Sequence, residues 1–190
     1  MVGVTDLTNL PDKVCRAIRF YLIDSGAVAE DRIYHHFDSR ERKMESGPIV
    51  TVTMLPVGPE VQFTGDDEFR VMLTVAYLAA EQPADQSEAA RLVFSAMVGK
   101  VRSAMMLSND GQTINETRRL INVSAAKMAV AEDDTDAAQR FAQVNADMAD
   151  FTLLKLFQDN YGVVKMEGAN WAVGQAFRCT ACESAVEGYT

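Results

Sequence analysis

The first clear segment, Pro11 to Asp24, repeats apolar residues at helical spacing, with Val14, Ile18, Tyr21 and Leu22 on one face. Pro11 falls in the first turn, where a missing N–H costs little, and Ser25-Gly26 predicts the end of the helix. Arg32 to Phe37 then alternates Ile33, His35 and Phe37 against Tyr34 and His36, which predicts a short strand. A polar loop, Asp38 to Gly47, leads into the β-branched run Ile49 to Leu55, a strand that Pro56 stops. Gly58-Pro59 and Gly65-Asp66-Asp67 punctuate the next stretch and leave Val61 to Phe63 as a short edge or hairpin piece. From Phe69 to Leu78 the period is two, with Phe69, Val71, Leu73, Val75 and Tyr77 on one face. Asp85-Gln86-Ser87-Glu88 reads as a helix start, and Ala89, Val93, Met97, Val101 and Ala104 continue as a stripe to about Leu107. Trp171 to Cys182 alternates again and predicts a closing strand, with a tail after it.

Between Asn109 and Gly168 the period switches twice after the Asn109-Asp110-Gly111 turn. Leu120 to Val123 reads as a strand. Ala138, Phe141, Val144 or Asn145, and Met148 recur at helical spacing, and Phe151 to Phe157, which fits either period, is assigned to helix with them. The expected fold is therefore one α+β domain over residues 1–190, an antiparallel sheet covered by two principal helices. A largely helical segment, 109–168, is inserted before the last strand.

Composition narrows the function. At 190 residues and 20.9 kDa, with 48% hydrophobic and 24% charged residues, the chain has the make-up of a folded globular domain. Its 18 basic and 27 acidic residues give a formal charge of -9, which argues against a sequence-independent grip on nucleic acid phosphates. The longest apolar stretch, Val71 to Ala80, is about half of what a bilayer-spanning helix needs, so no membrane span is expected. The first residues lack the basic and apolar regions of a secretory signal, and 3 cysteines cannot all pair, which favours a reducing cytoplasmic origin.

Candidate chemistry is sparse. Cys179-Thr180-Ala181-Cys182 has no second pair to complete a zinc site, and on a strand its two thiols face opposite ways. His35 and His36, the only histidines, are adjacent and so also diverge on a strand. No P-loop, dinucleotide fingerprint or nucleophile elbow is present. The interval Glu132 to Asp159 holds seven acidic residues against Arg140 and Lys155, a net of -5, and reads as a solvated face; it lacks the glycine and closing glutamate of a calcium loop. The 10 methionines read as core filling. No catalytic residue, cofactor or metal is expected.

The order of elements, with the Arg32 to Leu55 hairpin, the Phe69 to Leu78 strand after its Gly-Asp-Asp turn, the Ser87 to Leu107 helix and the Trp171 to Cys182 strand, resembles the tail terminator proteins of tailed bacteriophages. The resemblance covers Pro11 to Leu107 and Trp171 to Cys182, and the 109–168 interval departs from it. It implies a structural virion protein, assembled in the host cytoplasm, that forms a ring, commonly a hexamer. Such a ring caps the tail tube, ends its polymerisation, and joins it to a head-completion or stopper protein, while genomic DNA passes through without specific binding. A ring needs two unlike patches per subunit. Arg40, Arg42 and Lys43 in the hairpin loop, and Asp66, Asp67 and Glu68 at the turn before the long strand, are the expected interface residues, the basic loop docking against the acidic interval of a neighbour. Other readings are a different neck component, such as a stopper or connector adaptor, a small cytoplasmic α+β enzyme using His35, His36 or Cys182, and an adaptor or chaperone-like partner.

Overall fold

A computed structural model describes residues 10–35, 47–55, 67–78, 88–105, 113–129, 148, 151–167 and 170–183. Among them the chain is α+β, with α1 (Leu10–Asp24), β1 (Ile33–His35), β2 (Gly47–Leu55), β3 (Asp67–Leu78), α2 (Glu88–Met105), α3 (Thr113–Ala129), β4 (Phe151–Glu167) and β5 (Asn170–Glu183). The strands form one sheet in the order β1-β2-β3-β5-β4. Helix α1 stops at a left-handed Gly26, φ +70°, where Ala27 N–H bonds back to Leu22 O and Gly26 N–H to Ile23 O. That paired closure satisfies the last carbonyls, and the positive φ is the conformation that glycine adopts without a Cβ penalty.

The expected face of α1 is buried: Val14, Ile18 and Leu22 are fully enclosed and Tyr21 is nearly so. Burial extends around most of the helix, because α1 packs against the strands β1, β2 and β5 and also against α3. Its basic residues are held in place there. Arg19 Nε donates to Ile33 O at 3.2 Å, and Arg16 Nε meets Asp12 Oδ2 at 2.7 Å. The core joins α1, α2 and α3 to Val50 and Val52 of β2, Phe177, Cys179 and Ala181 of β5, and Leu153 and Leu156 of β4. These strand residues share one face, so the three helices form a single layer against it. On the other face Ile49 is buried, Thr51, Thr53, Ala172, Gly174 and Ala176 are half-buried, and Lys155, Phe157 and Arg178 are exposed.

Five expectations are corrected. β1 pairs with β2 in parallel, Ile33 opposite Val50, so Arg32 to Leu55 is not a hairpin; the other neighbours pair antiparallel. Parallel neighbours cannot be joined by a tight turn, and the sequence pattern of two short strands carries no direction. Leu120 to Val123 belongs to helix α3: its inward positions include polar Thr117 and Ser124 beside Ile121 and Ala125, which hides the helical period. Phe151 to Phe157 is strand, not helix. The register shifts between Leu153 and Lys155, so the buried residues Phe151, Leu153 and Leu156 fall two and then three apart, a spacing that imitates a helix. The 109–168 interval therefore contributes both a third helix to the layer and the edge strand of the sheet. On α2 the buried stripe is Ala90, Phe94, Val101, Ala104 and Met105, with Met97 packed against it, while Ala89 and Val93 are exposed. Met97, Val101 and Ala104 face inward as expected, and only the first two turns depart from the expected stripe, where Phe94, 5.8 Å from the Trp171 ring, is a larger apolar contact than Val93 offers.

Candidate functional site

Asp67 and Glu68 are the first residues of β3, in register with Ala181 and Thr180, and not part of a preceding turn. Arg40, Arg42, Lys43 and Asp66 lie outside the described residues, as does most of the acidic interval. His35 closes β1 and His36 lies outside the described residues. Cys179 is buried among the core residues and Cys182 is half-buried; three apart on β5, they belong to opposite faces, as expected of a strand. Among the described residues no three His, Cys, Asp or Glu side chains gather as a metal site would require. No helix among them is long and apolar enough to cross a membrane.

One concave feature of the described surface was not anticipated from sequence. A cleft of about 820 Å³ opens where the C-terminal end of α1 meets α2 and α3. Its α2 wall is Ala96, Gly99, Lys100, Ser103 and Ala104, its α3 wall is Leu120, Val123, Ser124 and Lys127, and Tyr21, Asp24 and the turn at 25–27 complete it. On α2, positions 96, 99 and 103 fall on one face, away from the buried stripe, and all carry small groups. A Cβ built on Gly99 would meet nothing within 4 Å. At Ala96, Gly99 and Ser103 the α2 wall carries little bulk, which leaves the groove open there.

The cleft is braced by polar contacts that hold α1 to its neighbours. Asp24 Oδ2 accepts from Ser124 Oγ at 3.0 Å and from Lys127 Nζ at 2.8 Å, joining the last residue of α1 to α3. The Tyr21 hydroxyl donates to the carbonyl of Ala104, and Thr117 Oγ1 donates to the carbonyl of Met105, so both helices reach the last turn of α2 and satisfy carbonyls left open there. Burial, with the negative charge of Glu116 second, raises the Tyr21 hydroxyl to about 12, so it keeps its proton and remains a donor at neutral pH. The cleft is lined mostly by carbon, and Lys100 and Lys127 put positive charge on a chain that is negative overall. Outside the cleft, Cys15 is buried in α1 and its thiol is pushed up to about 12 by desolvation and then by Asp12.

Large apolar side chains exposed to water mark two further places. Leu92 and Val93, 64% and 53% exposed, stand on the N-terminal half of α2, and Phe157, 52% exposed, stands on β4 on the sheet face away from the helices. Phe157 is in register with Arg178, and Lys155 is nearby, so that patch is basic at its rim. The outer edge of β4 is partly closed. Asn122 of α3 donates Nδ2 to Leu153 O at 3.0 Å and accepts Leu153 N–H at 2.7 Å, and Arg118 donates to Leu154 O at 2.8 Å. These contacts occupy backbone groups that an incoming strand would use.

No protein-family model matches the chain. No curated protein matches it.

Proposed function

We propose that the protein is a structural subunit of a tailed-bacteriophage neck: a tail terminator that forms a ring on the tail tube, ends the tube's growth and joins it to a head-completion protein. The observation that carries this reading is the placement of exposed apolar side chains on both sides of the fold, Leu92 and Val93 on the helical layer and Phe157 on the far face of the sheet. Leu92 and Val93 adjoin on one turn of α2, and Phe157 stands on the opposite side of the fold. A subunit with lateral neighbours in a ring and axial neighbours above and below it buries both. Charge supports the same reading, since a -9 subunit lines a channel that repels phosphate and lets DNA pass without holding it.

The test is made on particles. Gold-labelled antibody to this chain is expected at the head-proximal end of the tube, and particles assembled without the chain are expected to carry tubes of uncontrolled length. Label confined to the head side of the junction, with tubes of normal length in its absence, would assign the chain to a stopper or adaptor. A monomeric enzyme absent from particles would end the neck reading.

A further inference from the structure

We infer that the sheet face away from the helices docks a protein partner through Phe157, Arg178 and Arg70, and that the matching surface of the partner is an apolar pocket rimmed by carboxylates. The inference rests on the neck reading above and names the chemistry of its axial contact, the one made with the tail tube. Strand register sets the arrangement. Phe157 of β4 is opposite Arg178 of β5, and Arg178 is opposite Arg70 of β3, so the three occupy one row across three strands. The next row on the same face holds Lys155, Thr180 and Glu68. Neighbouring strands lie about 4.8 Å apart and same-face residues of one strand about 7 Å apart, so the backbone positions of both rows fall within roughly 10 Å of Arg178. That places three cations against one carboxylate around Phe157, which is 52% exposed. Asp159 is the extra residue of the bulge that follows and takes no position in this register, and at the far end of the face Lys165 and Glu167 offset each other. A chain with a formal charge of -9 thus gathers a local excess of positive charge beside an exposed aromatic ring.

The chemistry of the patch selects its occupant. Like charges set directly opposite on neighbouring strands repel, so the Arg70 and Arg178 pair is stabilised by an anion brought to this face. A guanidinium fork takes carboxylate or phosphate oxygens two at a time. Carboxylates are favoured here for two reasons. A nucleic acid strand stacks successive bases on a series of aromatic faces, and among the described residues Phe157 is the one aromatic side chain in the exposed apolar set. The acidic chain also repels a long phosphate backbone beyond the patch, whereas a compact acidic protein surface meets the patch alone. Phenylalanine beside arginine is the composition of a protein–protein anchor, and half-buried Ala172, Gly174 and Ala176 leave the adjoining floor low enough for close approach. A second copy docking by the same face would set arginine against arginine, which disfavours a two-fold pairing.

Co-sedimentation of the full chain with purified tail tubes tests the contact, with Trp171 fluorescence reporting folding and native mass spectrometry reporting the ring. Wild type is expected to sediment with tubes, and less so as salt is raised. Arg178→Glu and Lys155→Glu, both at exposed positions, are expected to weaken attachment by about tenfold or more with fold and ring unchanged. Glu68→Gln, which removes the opposing carboxylate, is expected to strengthen attachment, a gain that no folding defect produces. Attachment unchanged in all three variants would overturn the contact and leave the neck reading standing. Loss of the ring in Arg178→Glu would assign the face to a neighbouring copy, and binding of a fluorescent oligo-thymidine strand that Arg178→Glu abolishes would assign it to nucleic acid; either result overturns the inference. Wild type that never sediments with tubes would overturn both the contact and the neck reading.

Discussion

At the scale of single residues, Cys15 and Tyr21 tie stability to alkaline pH. Both groups sit in α1 against the core, and burial raises each to about 12, from 9.0 for the thiol and 10.0 for the hydroxyl. The unfolded chain therefore releases these protons first as pH rises, and the folded form is the one that holds more of them. Their contribution is complete below pH 9 and is lost between about pH 9 and 12. Urea midpoints read by Trp171 fluorescence are expected to fall across that window, and Cys15→Ala to flatten the early part of the fall. A midpoint that rises or stays level there would contradict the burial of these groups. Gly99 makes the opposite case: it is an exposed mid-helix glycine with no neighbour within 4 Å of a Cβ, so Gly99→Ala is expected to stabilise the chain by about 0.5–1 kcal/mol in the same measurement.

At the scale of elements, β4 shows how much of the fold was legible. The strands β2, β3 and β5 and the helices α1 and α2 declare themselves because each keeps one period from end to end. β4 does not, because its bulge inserts one residue between Leu153 and Leu156 and converts an alternating pattern into one with a helical step. The direction of β1 was hidden for a different reason, since three residues of strand hold no information about which way their partner runs. The cleft was hidden because it is an absence of bulk: Ala96, Gly99 and Ser103 are unremarkable until α3 is placed across from them, and α3 itself was masked by Thr117 and Ser124 on its inner face. Leu92 and Val93 followed, since the expected α2 stripe put Val93 inside. Asn122 ties α3 to β4 through both backbone groups of Leu153, and its loss leaves a part-buried N–H and C=O without that partner. Asn122→Ala is expected to cost about 1–3 kcal/mol by urea unfolding, and a loss below a few tenths would show that water replaces the amide at that edge.

At the scale of the whole molecule, the account joins a helical layer, a sheet and two exposed apolar surfaces into a subunit made for neighbours. The Phe157 patch, with Lys155 and Arg178 around it, faces away from the helices and is therefore separate from Leu92 and Val93 on α2. Phe157→Glu is expected to leave ring assembly intact and to reduce attachment of preformed rings to tail tubes by tenfold or more, measured by co-sedimentation with the tube. Retained attachment would place the axial contact elsewhere. The separation matters because lateral and axial contacts then fail independently, which is what a part that both closes on itself and joins two other assemblies requires.

The central claim is that this chain works by closing on copies of itself, and electron microscopy of the purified full-length protein tests it most directly. The account predicts class averages of a closed ring of identical subunits around an open pore. A field of single compact particles, with no ring at any protein concentration, would contradict it.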